Sequence, residues 1–252
     1  SLRTRVPFEL ASQQLGGGAV AAVGPIAERE PLKDVARNLD RWTQGIVARV
    51  FLQETIDELA HWSRVPVINA LSDRFHPCQA LADMLTLKEH LGSYKGKKLA
   101  FVGDGNNVAH SLLLSGARLG LSVSVATPPG YEPNLNIVMQ AQAFAAEMGG
   151  RIAVTHDPRE AVTGAHVVYT DVWASMGQEG EADARLKVFR PYQVNSDLLS
   201  SAAQGALFMH CLPAKRGQEV TDEVCECPGS IIFDQAENRL HAQKALLLMM
   251  ID

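Results

Sequence analysis

The 252-residue chain reads as an α/β protein made of two doubly wound parallel-sheet domains, and three observations predict that class. Short apolar, β-branched runs alternate with longer segments of helical periodicity from one end to the other. Hydrophobic residues make up 46% of the chain and aromatics only 6%, a balance suited to an α/β core. Polar clusters follow the apolar runs, at the carboxyl ends of strands, where parallel sheets bind their ligands.

The elements follow in order. From Ser1, the apolar residues Val6, Leu10 and Leu15 recur at roughly helical spacing and stop at Gly16-Gly17-Gly18, glycines able to adopt positive φ and end a helix. AVAAV then reads as a buried strand, LKDVARNLDRWTQG as a helix, and IVARVF as a strand with Arg49 near its end. After another helix, VPVINAL is a strand, and FHPCQALADMLTLKEHLG enters a helix whose N-terminus carries His76, Pro77, Cys78 and Gln79. The polar stretch SYKGKK marks a domain boundary, giving a first domain over 1–92.

A second alternating series fills 93–235. It runs LAFVGDG, helix NVAHSLLLSGARLG, SVSVATP, helix NIVMQAQAFAAEMGG, RIAVTHDP, helix REAVTGA, VVYTDVW, a helix near NSDLLSSAAQ, ALFMHCLP and SIIFDQ. Residues 236–252, AENRLHAQKALLLMMID, form an amphipathic C-terminal helix.

A formal charge of −5 and a pI near 5.9 argue against nucleic acid as a partner, because phosphate-backbone binders need a basic excess. The longest apolar run, ALLLMMI, is far too short to span a bilayer, so no membrane association is expected. Cys78, Cys211, Cys225 and Cys227 do not make a disulfide framework in a chain of this length, and Cys225 with Cys227 lacks the second ligand pair of a zinc site. With no secretory leader in view, a cytoplasmic location is the expectation.

Ser1 to Arg5 place two hydroxyls and two guanidinium groups at a helix start, which suits a phosphate as well as it suits a plain cap with solvated arginines. LAFVGDGNNVAHS has the strand, glycine turn and helix of a dinucleotide site. Only Gly103 and Gly105 fit the glycine pattern, however, and the next strand ends without an acidic residue for a ribose, so no nicotinamide cofactor is expected. Asn106 and Asn107 suit either a cap or a carboxylate. His76 and Gln79 are either ordinary helix-start residues or a pair that polarises a carbonyl oxygen. Asp171 to Gly177 reads as a strand-to-loop transition or as the holder of an amino-acid headgroup, and Cys211 as a buried thiol by base rate.

Taken in order, these segments resemble the aspartate/ornithine carbamoyltransferase family over nearly the whole chain. SLRTR is similar to the family's S-T-R-T-R carbamoyl-phosphate loop, HPCQ to its H-P-x-Q, and GDGNN to a segment whose second asparagine binds ornithine. DVWASMG resembles a D-x-x-x-S-M-G acceptor loop, HCLPA an ornithine-type H-C-L-P, and FDQAENR the motif whose arginine meets carbamoyl phosphate. The aspartate-using branch should instead show H-P-L-P-R and an arginine-rich acceptor site. Relatives acting on acetylated or succinylated ornithine share the SLRTR spelling, but the intact S-M-G loop favours free ornithine.

The resemblance implies an active site in the cleft between the domains and a C-terminal helix that returns to the first. The implied reaction carries the carbamoyl group of carbamoyl phosphate to the side-chain amine of L-ornithine, giving L-citrulline and phosphate, as part of arginine metabolism. Carbamoyl phosphate is implied to meet Ser1, Leu2, Arg3, Thr4, Arg49, His76, Gln79, Cys211, Leu212 and Arg239, and ornithine to meet Asn107, Asp171, Ser175 and Met176. Arg49, His76, Asp171 and Cys211 are the implied catalytic residues, with no metal or organic cofactor, in a homotrimer. Three departures stand out. Leu2 replaces a threonine, Pro25 in GPIAERE lies near a glutamine that would reach a neighbouring subunit, and the strand and helix that the family carries before S-T-R-T-R are expected to be absent, leaving the first domain N-terminally incomplete.

Overall fold

A computed structural model of the chain describes residues 2–24, 26–174 and 179–251, which form two compact units. Unit 1 comprises Ser1–Ala82 and Glu237–Asp252, and unit 2 comprises Asp83–Ala236.

In unit 1, helices α1 (Leu2–Gln14) and α2 (Leu32–Trp42) precede strand β1 (Ile46–Arg49), α3 (Gln53–Trp62), β2 (Val67–Leu71) and α4 (Pro77–Leu91). The two strands pair in parallel, with Ile46 opposite Val67. Phe8 and Ala11 of α1 pack with Ile68, Ala70 and Cys78, while Leu32, Ala36, Ala48, Ile56 and Leu59 form a second cluster. Parallel pairing brings the ends of β1 and β2 to one edge, so Arg49 and the turn before His76 share it.

In unit 2 the order is β3 (Lys98–Val102), α5 (Asn107–Arg118), β4 (Ser122–Ala126), α6 (Leu135–Met148), β5 (Ile152–Thr155), α7 (Pro158–Val162), β6 (Val167–Thr170), α8 (Ala182–Phe189), α9 (Ser196–Leu199), β7 (Leu207–His210) and α10 (Asp222–Cys225). The five strands form a parallel sheet ordered β5-β4-β3-β6-β7. Neighbouring residues of β3 serve opposite faces: Leu99 and Phe101 join one buried cluster, Ala100 and Val102 the other. Burial on both faces accounts for the nearly continuous apolar spelling of these strands. The strand order reverses between β3 and β6, and at such a switch point the connections leave in opposite directions and open a crevice.

The last helix, α11 (Ile232–Met250), begins in unit 2 and continues into unit 1, where Leu247 joins the cluster of Phe8 and Ala11. The expected alternation is present, with two differences. AVAAV is not a strand: Val20 is fully exposed and Val23 is 88% exposed, and no strand among the described residues pairs with this glycine-flanked segment. SIIFDQ contributes only a bridge at Ser230 before the chain turns helical at Ile232, where Gln235 N–H already bonds the Ile231 carbonyl. The compact units meet inside α4 and α11, and the Tyr94 hydroxyl in SYKGKK donates to the Met84 carbonyl at 2.7 Å.

Candidate active site

In unit 1 the opening cluster lies on the first turn of α1, where backbone N–H groups lack helical partners and carry partial positive charge. Thr4 is buried, and its Oγ1 accepts from Arg49 Nη1 at 3.3 Å. Arg3 is half-buried, Leu2 is exposed, and Arg5 turns away to pair with Glu9 at 2.7 Å. Ser1 and Pro25 lie outside the described residues.

Pro77 opens α4, a position whose missing N–H costs nothing, and this leaves His76 at the helix start. The His76 carbonyl accepts from the N–H groups of Gln79 and Ala80. Gln79 is buried, and its Oε1 accepts from Nη1 of the equally buried Arg239 at 2.7 Å. In the orientation its hydrogen bonding requires, the Gln243 side-chain carbonyl accepts from Arg239 Nη2 at 2.7 Å. Burial, reinforced by the charges of Arg239 and Arg49, holds the His76 pKa well below its ordinary value. His76 is therefore a neutral hydrogen-bonding group near guanidinium charge, able to polarise a carbonyl oxygen without carrying charge itself.

In unit 2 the residues gather at the switch point. Asp171 follows β6, is buried, and is held from two sides: Asn106 Nδ2 donates to Oδ2 at 2.9 Å and Cys211 Sγ donates to Oδ1 at 3.0 Å. The same Asn106 caps α5, accepting from the N–H groups of Val108 and Ala109 at 3.0 and 3.2 Å. Asn107, half-buried, is the first residue of α5, and its carbonyl accepts from Ser111 Oγ. Gly105 fits the turn because a Cβ there would meet the Pro133 nitrogen at 2.2 Å.

Asp104 pairs with Arg185 of α8 at 2.9 Å, and both are buried. Burial outweighs the Arg185 charge and pushes the Asp104 carboxyl up to about 6. Arg185 Nη1 also donates to the Trp173 carbonyl at 2.9 Å, so one side chain joins the GDGNN turn to the segment after Asp171. Ser175 and Met176 lie outside the described residues.

Asp171, His210 and Cys211 offer potential ligand atoms within 4.8 Å of one another, yet they do not form a metal-ligand set. The Leu212 N–H donates to His210 Nδ1 at 2.9 Å and Nε2 faces Glu219 Oε1 at 3.1 Å, so the ring has no lone pair to give.

The structure thus gathers Thr4 with Arg49, Gln79 with Arg239, and Asp171 with Cys211. Sequence reasoning passed over Arg185 and Glu219. The first lies in ADARLKVF and the second in RGQEV, segments that no motif marks. Asn106 was visible in GDGNN as a cap or a carboxylate partner, and it serves as both.

The pattern described as the carbamoyl-P binding domain of aspartate/ornithine carbamoyltransferase matches residues 1–89, and that of the Asp/Orn binding domain matches 95–250. The curated ornithine carbamoyltransferase of Carboxydothermus hydrogenoformans is 53% identical over 254 aligned residues, which cover all of this chain and 82% of that one. The anabolic ornithine carbamoyltransferase of Pyrococcus furiosus is 54% identical, with 81% of its length covered. The solved structure of the ornithine carbamoyltransferase from Pyrococcus furiosus superposes with a TM-score of 0.96 at 54% identity, covering all of this chain and 81% of that one. Two domain patterns, identity above half over the whole of this chain and the same parallel-sheet architecture lead to one conclusion: the chain belongs to the aspartate/ornithine carbamoyltransferase family and is an enzyme of that family.

Proposed function

We propose that the chain transfers the carbamoyl group of carbamoyl phosphate to the side-chain amine of L-ornithine, forming L-citrulline and phosphate, a reaction of arginine metabolism. The observation that carries this reading is Asp171, a buried carboxylate held between Asn106 and Cys211. A fixed buried anion attracts an amine and repels a second carboxylate, which favours a diamino acid over aspartate as acceptor.

In the proposed mechanism Ser1, Arg3, Thr4, the Leu2 N–H and the start of α1 hold the phosphate. Arg49, His76 and Gln79, with Gln79 fixed by Arg239, polarise the carbamoyl oxygen, and main-chain groups of Cys211 and Leu212 take the carbamoyl amide. Asn107, Asp171, Ser175 and Met176 hold ornithine, with Asp171 and Cys211 near the attacking nitrogen. The neutral amine attacks the carbamoyl carbon and charge collects on its oxygen. The bond to phosphate then breaks, and the amine loses a proton.

The test is an assay offering carbamoyl phosphate with ornithine, acetylornithine, aspartate or putrescine. Citrulline from ornithine at a kcat/KM far above that of the other acceptors is the expected result. A preference for acetylornithine or aspartate would overturn the acceptor assignment.

A further inference from the structure

The HCLPA segment is held from behind by two fully buried ionisable residues, His210 and Glu219. Strand β7 ends at His210, and the chain then turns through residues 211–218, returning at Glu219. Leu212 sits in this turn with φ of 55°, the only non-glycine residue with positive φ among those described. A leucine held there needs surroundings that fix it. Its N–H donates to His210 Nδ1 at 2.9 Å. A backbone N–H only donates, so Nδ1 accepts and the ring proton sits on Nε2, 3.1 Å from Glu219 Oε1.

The same Glu219 oxygen accepts from the Lys215 N–H at 2.6 Å, so one carboxylate grips the turn at its entrance through His210 and at its middle directly. The frame behind it is fixed. The His210 N–H donates to Gln235 Oε1 at 3.0 Å, and the Glu219 carbonyl accepts from the Val194 N–H at 2.8 Å. Neither His210 nor Glu219 is used by the proposed chemistry. A buried carboxylate whose other oxygen, Oε2, has no partner among the described residues is costly to keep for packing alone.

We propose that His210 and Glu219 are a positioning pair that locks Leu212 in its left-handed turn, so that the main-chain groups of Cys211 and Leu212 meet the carbamoyl amide. The proposal rests on the proposed function in one respect, the assignment of those main-chain groups to the carbamoyl end. Glu219 releases the ring when removed, the ring then turns, and the Leu212 N–H loses its acceptor.

The test compares two ligands by calorimetry on the whole protein: phosphonoacetamide, which carries an amide beside its phosphonate, and inorganic phosphate, which has none. Glu219→Ala is expected to weaken phosphonoacetamide by about tenfold, a shift on the scale of one or two hydrogen bonds, and phosphate by less than about twofold. Glu219→Gln is expected to restore most of the loss, since its carbonyl accepts from the same two N–H groups. Equal weakening of both ligands, no weakening, or a glutamine variant no better than alanine overturns the pair.

Should Glu219→Ala fail to fold, the nitrogen-15 spectrum of the unaltered protein decides. A bare Nδ1 with the proton on Nε2 supports the proposal, and an Nδ1–H tautomer overturns it. A parent protein that makes no citrulline overturns the acceptor assignment and leaves the comparison of amide and phosphate intact. A parent active on ornithine whose Glu219→Ala variant keeps the parent ratio of affinities overturns the positioning pair alone.

Discussion

Asp171 takes one hydrogen bond from an amide and one from a thiol, and both donors are neutral. The carboxylate therefore keeps its charge for a ligand. Asp171→Asn preserves shape and removes that charge, and kcat/KM for ornithine is expected to fall by about a hundredfold or more, the loss of a buried charge-assisted contact. Phosphate affinity and melting temperature should change little by comparison. Unchanged ornithine kinetics in the folded variant would refute the placement of the acceptor. At His76 the consequence is a pH dependence of stability. The native imidazole resists protonation, whereas the unfolded one takes a proton near its ordinary pKa of 6.5. Below that pH the unfolded chain binds more protons, so the stability His76 contributes is full above 6.5 and is lost as pH falls toward its depressed native value. The slope is at most about 1.4 kcal/mol per pH unit. Urea titrations at about pH 7.5 and about pH 5.5 should show a smaller loss for His76→Gln than for the parent, and an equal loss would mean that His76 titrates normally.

Helix α5 shows how one element serves both fold and site. Its cap, Asn106, completes two orphan N–H groups with the carbonyl oxygen and spends the amide on Asp171. Helix α8 acts on the same turn from the other side through Arg185, which bonds Asp104 and the Trp173 carbonyl. Arg185→Met strands the buried Asp104 carboxylate and is expected to cost about 3–5 kcal/mol in unfolding free energy, with a raised KM for ornithine. Burial raises the Asp104 carboxyl and Arg185 holds the rise to about 6. Without Arg185 the carboxyl takes its proton at higher pH, so the deficit should be largest at alkaline pH, shrink as pH falls toward 6 and level off below it. A variant as stable as the parent at neutral pH would show that the pair does not hold the turn. These elements were legible in the sequence to different degrees. Strands β3 to β7 announced themselves because both faces are buried and the spelling is uniformly apolar. AVAAV had the same spelling and no strand to pair with among the described residues, and apolar runs carry no record of their neighbours. Arg185 was illegible for a related reason, since its partner lies 81 residues away and nothing in its own helix marks it.

For the molecule as a whole, the proposed assembly is a homotrimer, and the exposed Trp42, Phe51 and Leu52 of unit 1 are the kind of apolar surface that association covers. Light scattering is expected to give three times the 27.3 kDa chain mass, and a fully active monomer at high dilution would refute this. At this scale the order of the motifs made the family readable from the sequence, and the two compact units meet inside α4 and α11, helices that are continuous in both sequence and structure. That division also governs how the chain is made. Unit 2 is one unbroken stretch, but unit 1 needs Leu247 to close the cluster containing Phe8, Ala11 and Ile68. As the chain leaves the ribosome, unit 2 has all its residues while the apolar surface of its predecessor still waits for the last helix. Of the two units, the one begun earlier is thus the one finished later, and through that interval Phe8 and Ile68 are the surface a chaperone would find.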